Sequence, residues 1–142
     1  MGAWTVPQPG GRREPTRRQT IAVVDDQQDF LGVATDILEP EGYSVVTCQR
    51  AEDAERWLRE TKPDLLIVDI RIPGVPAWHV FDRVRADPEL ARIPCIICTA
   101  ARDELREREP WLRQHGYGIL DKPFDLDELL QKVAAQLRPR AP

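Results

Sequence analysis

Leu65-Leu66-Ile67-Val68-Asp69-Ile70-Arg71-Ile72-Pro73-Gly74 is the stretch that decides the fold. Its first four residues are an unbroken apolar run of strand length, the pattern of a parallel strand covered on both faces. A carboxylate ends the run and Pro73-Gly74 supplies a turn. The same grammar recurs along the chain. Residues 21–24 and 93–98 are further continuously apolar runs, and residues 43–48 and 118–120 are two more of strand length. Between the runs lie helical patterns with apolar residues three and four apart. Residues 27–39 place Phe30, Leu31, Ala34, Ile37 and Leu38 on one face, with Pro40 and Gly42 as the stop. Residues 51–60 carry Ala54, Trp57 and Leu58; residues 77–86 carry Val80, Phe81 and Val84. Residues 125–137 carry Leu126, Leu129, Leu130, Val133 and Leu137. Residues 102–115 form the least regular helix, because Pro110 removes a backbone hydrogen bond; a kink, or two short helices with Pro110 opening the second, is expected.

Five strands, each followed by a helix, imply right-handed crossovers and an α/β fold with an open, doubly wound parallel sheet. The expected order is 2-1-3-4-5, with a ligand site beyond the carboxyl ends of strands one and three. The first nineteen residues, rich in arginine, Pro7, Pro9, Gly10, Gly11 and Pro15, are expected to be a flexible basic tail. One domain is expected over residues 20–138, and residues 139–142 form a short C-terminal tail.

Net charge is -4 over 142 residues. Arg12, Arg13, Arg17 and Arg18 against Glu14 make the start basic and the body acidic, which argues against a nucleic-acid face on the folded part. The three cysteines are an odd number within apolar runs, which fits a reducing cytoplasm better than a disulfide scaffold. No run approaches a membrane span, and the start lacks the apolar core of a signal peptide.

The strand ends carry the chemistry. Asp25 and Asp26 close the first run, Asp69 the third and Thr99 the fourth, while Lys122 follows the fifth. Singly, each has an ordinary structural reading: a strand-end aspartate or threonine caps the next helix, and a lysine is a solvated charge. Together they put three carboxylates against one ammonium, a deficit that a divalent cation fills; an all-oxygen site with few protein ligands suits Mg²⁺. A metal beside a carboxylate, a hydroxyl and an ammonium is the equipment of phosphoryl transfer, and an aspartate can be the nucleophile.

Four segments carry a resemblance: Val23-Val24-Asp25-Asp26, Leu66 through Gly74, Cys98-Thr99-Ala100 and Asp121-Lys122-Pro123-Phe124. In that order they resemble the receiver domains of two-component response regulators, which have a flavodoxin-like fold. The resemblance implies that Asp69 is the phosphoacceptor, that Asp26 binds Mg²⁺ directly, and that Asp25 does so directly or through water. It implies the Arg71 carbonyl as a further ligand, Thr99 as a phosphoryl hydrogen-bond donor that shifts on phosphorylation, and Lys122 as the partner of the same group. It implies a cis Lys122-Pro123 bond. It also implies a sensor histidine kinase or histidine phosphotransfer protein as phosphodonor, an output protein as target, and allows a homodimer.

The chain departs from the family in two places. Ile119 stands where a Tyr or Phe is usual, three residues before the lysine, and Ala77-Trp78 replaces the usual Asp-Gly, which would put a large ring near the site mouth. After the last expected helix only residues 138–142 remain, too few for a DNA-binding unit, so output through protein contacts as a single domain is expected. Ile119 favours the alternative of a binding or scaffolding module that keeps the fold without the phosphorylation switch. A hydrolase acting through Asp69 on an external substrate would need a cap, and no insertion is long enough. Cys95 and Cys98, three apart on a strand, should point to opposite faces and pack in the core. His79 and His115 read as surface residues without partners, and Trp111 as an interface or packing residue.

Overall fold

The structure, a computed structural model, describes residues 18–138. Five parallel strands, β1 (Thr20–Val24), β2 (Ser44–Cys48), β3 (Leu65–Val68), β4 (Cys95–Thr99) and β5 (Gly118–Asp121), stand in the order β2-β1-β3-β4-β5. The helices are α1 (Gln28–Leu38), α2 (Ala51–Thr61), α3 (His79–Ala86), α4 (Arg102–Gln114) and α5 (Leu126–Leu137). Most of the stretch expected to be a flexible tail, and residues 139–142, lie outside the described residues. Arg18, assigned to that tail, is instead in place: its guanidinium donates to the carbonyls of Gly42, Glu39 and Tyr43, so an ordered contact precedes β1.

Strand alternation divides the core in two. On one face Ala22, Val24, Leu66, Val68, Ile97 and Ile119 pack with Leu58 of α2, Phe81 and Val84 of α3, and Leu105 and Leu112 of α4. On the other, Ile21, Val23, Leu65, Ile67, Ile96 and Leu120 pack with Leu31 and Leu38 of α1 and Leu129 and Val133 of α5. Cys95 falls in the first cluster and Cys98 in the second, as the three-residue offset requires. Both thiols are free, and burial pushes Cys98 up to about 12 and Cys95 further still. Leu126, counted in the apolar stripe of α5, is 52% exposed because it sits at the helix start.

Differences from the sequence reading at α4, β4 and α3 each have a local reason. α4 runs unbroken through Pro110, which overturns the second of the two expectations, a pair of short helices. The Arg106 carbonyl loses its i+4 donor, but Arg106 and Pro110 both face solvent, while buried Leu105 and Leu112 anchor the helix on either side. β4 begins at Cys95 rather than Ile93, since Pro94 has no N–H to give; its carbonyl still accepts from Leu66 N–H at 2.9 Å. α3 begins at His79 because Trp78 adopts φ 71°, ψ 1°.

Trp78 also overturns the expectation of a ring at the site mouth. Left-handed backbone turns its side chain into the core, where it is 4% exposed, edge-on to Phe81 at 5.7 Å and beneath the Arg108 guanidinium at 4.4 Å. A left-handed residue bearing a side chain costs about 1–2 kcal/mol. Burial of the ring offsets that cost. Trp78→Ala should therefore lower stability by about 3–5 kcal/mol, and Trp78→Gly by about 1 kcal/mol less, since glycine takes positive φ freely. Urea unfolding of the two variants tests this; glycine no better than alanine would contradict it.

Candidate functional site

The carboxyl ends of β1, β3, β4 and β5 meet along one edge of the sheet, and the ladder continues past the strands to fix the residues that follow. Asp25 N–H donates to the Cys48 carbonyl at 3.1 Å, Asp69 N–H to Val24 at 3.2 Å, and Lys122 N–H to Thr99 at 2.9 Å. Register pairs Val24 with Val68, Val68 with Ile97, and Thr99 with Asp121. The site is thus set by strand pairing before any side chain acts.

Lys122 occupies its centre. Its Nζ donates to Asp25 Oδ2 at 2.6 Å and to Asp69 Oδ2 at 3.0 Å, and it lies 4.3 Å from the centre of the Phe30 ring. The other oxygen of Asp69 accepts from Thr99 Oγ1 at 2.7 Å and from Arg71 N–H at 3.1 Å. Asp25 Oδ1 accepts from Gln27 N–H at 2.9 Å. Asp25 is 1% exposed, and burial pushes its carboxyl above the ordinary value against the opposing pull of Lys122 and the Gln27 N–H. Burial alone would lower the Lys122 ammonium, but its bonds to Asp25 and Asp69 carry it above the ordinary value. The Lys122-Pro123 bond is cis, as expected.

Asp25, Asp69, Thr99 and Lys122 are therefore joined in one hydrogen-bonded group, which Arg71 enters through its backbone. Asp26 shares the edge but makes no hydrogen bond or ion pair among the described residues; with Arg71, Pro73 and Val75 it lines a shallow cavity of about 460 Å³. No three acidic, histidine or cysteine side chains among the described residues form a metal cage by themselves. The oxygen donors fit an ion that keeps most of its water: one unpaired carboxylate beside two that share a single lysine.

One contact at the site gave no sequence signal. Arg71 Nε donates to Glu104 Oε2 at 2.8 Å, tying the first turn of α4 to the loop after β3, and this holds the Glu104 carboxyl below its ordinary value. Thr99 Oγ1 accepts from Ala101 N–H at 3.0 Å, so the hydroxyl that touches Asp69 also holds the residue that immediately precedes α4. Phe30 beneath Lys122 had read only as part of the α1 stripe. His115 has partners after all: its ring stacks on Trp111 at 4.1 Å and its Nδ1 lies 2.9 Å from the Trp111 carbonyl oxygen.

The model of the response regulator receiver domain matches residues 21–134. The chain belongs to the response regulator receiver family. Among its relatives, this receiver is 40% identical over 122 residues to the phosphate regulon transcriptional regulatory protein PhoB of Rhizobium meliloti, covering 86% of this chain and 53% of PhoB. It is 31% identical to PilH of Pseudomonas aeruginosa, covering 82% of this chain and 96% of PilH. The chain spans about half the length of PhoB but nearly all of PilH. The chemotaxis protein CheY4 of Vibrio cholerae shares the receiver's fold, with a TM-score of 0.73 at 21% identity over 85% of this chain and 100% of CheY4. Among the described residues no helix of the receiver is long and apolar enough to cross a membrane.

The shared lysine predicts an asymmetry between two variants in metal-free buffer. Lys122→Ala leaves Asp25 buried beside Asp69 with no cation and should cost about 3 kcal/mol. Asp69→Asn leaves a one-to-one Lys122–Asp25 pair and should hold stability within about 1 kcal/mol of wild type. Because the Lys122 ammonium is held above 10.5, its contribution is complete at neutral pH and is lost only as pH rises through the raised value. Thermal unfolding from pH 7 to 11 should show the wild-type advantage over Lys122→Ala persisting across neutral pH and narrowing only above about 10.5. A gap that closes near neutral would contradict it.

Proposed function

We propose that this receiver is a phosphoacceptor that takes a phosphoryl group on Asp69 and signals through contacts with other proteins. The observation that carries the reading is the division of labour around Asp69: one oxygen faces the Thr99 hydroxyl, the other the Lys122 ammonium. Asp69 Oδ attacks the phosphorus of a phosphohistidine in a sensor kinase or phosphotransfer protein, the P–N bond breaks, and the imidazole leaves. Thr99 and Lys122 are positioned to hydrogen-bond the incoming group's oxygens. Asp26, Asp25, Asp69 and the Arg71 carbonyl would hold Mg²⁺, which when bound supplies positive charge that offsets the charge on the phosphoryl oxygens. The chain then needs no acid or base of its own beyond these residues, and the protein is a regulatory acceptor rather than an enzyme on an external substrate.

Output as a single domain in the cytoplasm, by protein contact and without nucleic acid or membrane, completes the proposal; a homodimer is compatible with it. Its support is the match to PilH over 96% of that protein's length and the acidic body of the chain. A second reading, a scaffolding module without a switch, is favoured by one observation: Ile119 is buried in the core cluster where an aromatic ring is usual, and a β-branched side chain with restricted χ1 sweeps little space. The two ties to α4, through Thr99 and through Arg71–Glu104, offer the phosphoryl group another route.

Incubation with acetyl phosphate and Mg²⁺ should add about 80 Da by intact mass, the mass of one phosphoryl group; Asp69→Asn should abolish the addition and Asp26→Asn should nearly do so. No addition to wild type would favour the scaffold. Hydrogen exchange with beryllofluoride should show loosened protection in residues 100–115, with a change of Trp111 exposure. Unchanged protection there, beside a clear change around Ile119, would reject the α4 route.

A further inference from the structure

The aromatic residues on the α3–α4 side form one connected row. Phe81 packs edge-on to both Trp78 at 5.7 Å and Tyr117 at 5.2 Å, and Tyr117 stacks with Trp111 at 5.8 Å. The row begins beneath the loop after β3, where Trp78 N–H donates to the Ile70 carbonyl, and ends at the surface with Trp111, 37% exposed. Two guanidiniums lie on it. Arg108 covers Trp78, and Arg85 lies 4.6 Å from the Trp111 ring centre and 5.4 Å from that of Tyr117, whose hydroxyl it also meets.

Charge separates the two arginines. Arg108 donates to both oxygens of Asp82, at 2.6 and 3.1 Å. Glu109, on the same helix, is taken by Arg113. Arg85 meets no carboxylate among the described residues. Of the cations lying over rings there, Lys122 and Arg108 have acidic partners and Arg85 does not. Between α3 and α4 runs a groove of about 500 Å³ lined by Phe81, Asp82, Arg85, Ala86, Arg108 and Trp111, in which the Arg108–Asp82 pair cancels and Arg85 leaves a net positive charge. An arginine already held against two rings and a phenol hydroxyl loses little further freedom when it takes a carboxylate, and its planar fork matches that group. The adjoining indole offers the rigid apolar area that anchors interfaces.

We infer that the α3–α4 groove is a docking surface for an acidic segment of a partner protein, with a carboxylate on Arg85 and a neighbouring apolar side chain covering Trp111. Arg85's uncompensated charge fixes the sign of the occupant, and the exposed indole fixes its apolar component. Docking here needs no phosphoryl group, so it is tested on the unphosphorylated chain and its failure leaves the Asp69 reading standing.

The probe is a random twelve-residue peptide library displayed on phage and selected on the full chain. Enriched peptides should carry Asp or Glu beside Leu, Phe or another apolar residue. Their affinity should fall at least about tenfold in Arg85→Gln, the equivalent of one charge-assisted hydrogen bond, and also in Trp111→Ala, with circular dichroism confirming that both variants fold. Affinity should also fall as salt rises. Absence of enrichment, enrichment of basic or neutral peptides, or binding indifferent to Arg85→Gln would each overturn the inference. A wild-type dimer in sedimentation that Arg85→Gln dissolves would identify a second copy as the occupant and overturn it equally.

Discussion

A single ammonium shared between two carboxylates is the interaction on which the rest of this structure depends. Asp25 is almost wholly removed from water, and its burial raises the cost of its charge; Asp69 lies on the other side of the same lysine. Removing a partner from such a group leaves an uncompensated buried charge, a larger loss than the attraction itself would suggest. The sheet order is what brings these groups together. Only with β3 between β1 and β4 do Asp25, Asp69 and Thr99 become neighbours, and only with β5 beyond β4 does Lys122 N–H reach the Thr99 carbonyl.

The fold was legible because both covered faces of a parallel sheet must be apolar, so the strands announced themselves as short continuous runs and the helices as stripes. The site was legible because strand order places the run ends together. What local sequence rules could not show is where tertiary packing overrode them. A bulky residue in left-handed backbone breaks the local preference at Trp78, and its burial in the core, with contacts to Phe81 and Arg108, 3 and 30 residues away in the chain, sustains it. Pro110 signalled a break, but its ring faces solvent and the burial of Leu105 and Leu112 keeps α4 whole. Glu104 and Phe30 reach the site from helices whose sequence patterns report only which face is apolar.

Helix α4 is the element that touches most of what is unusual here. The residue that precedes its first turn is held by the hydroxyl that meets Asp69, its side chains hold Arg71 and cover Trp78, and its last turn presents Trp111. Its contact with the core is narrow, with Leu105 and Leu112 its fully buried side chains. An element held by few apolar residues and several polar ties is one whose position a small change at those ties can shift.

The backbone bonds that extend the ladder past the strands have a consequence for how far such a sequence can drift. Asp25, Asp69 and Lys122 take their places from main-chain pairing, which does not read side-chain identity. Helix surfaces and outer loops can then be rewritten, and new surfaces invented on them, while the acidic edge stays still. Superposition on CheY4 at a TM-score of 0.73 with 21% identity shows the same fold carried by a largely different sequence. The architecture separates the residues that must hold position from those that are free to acquire a new vocabulary.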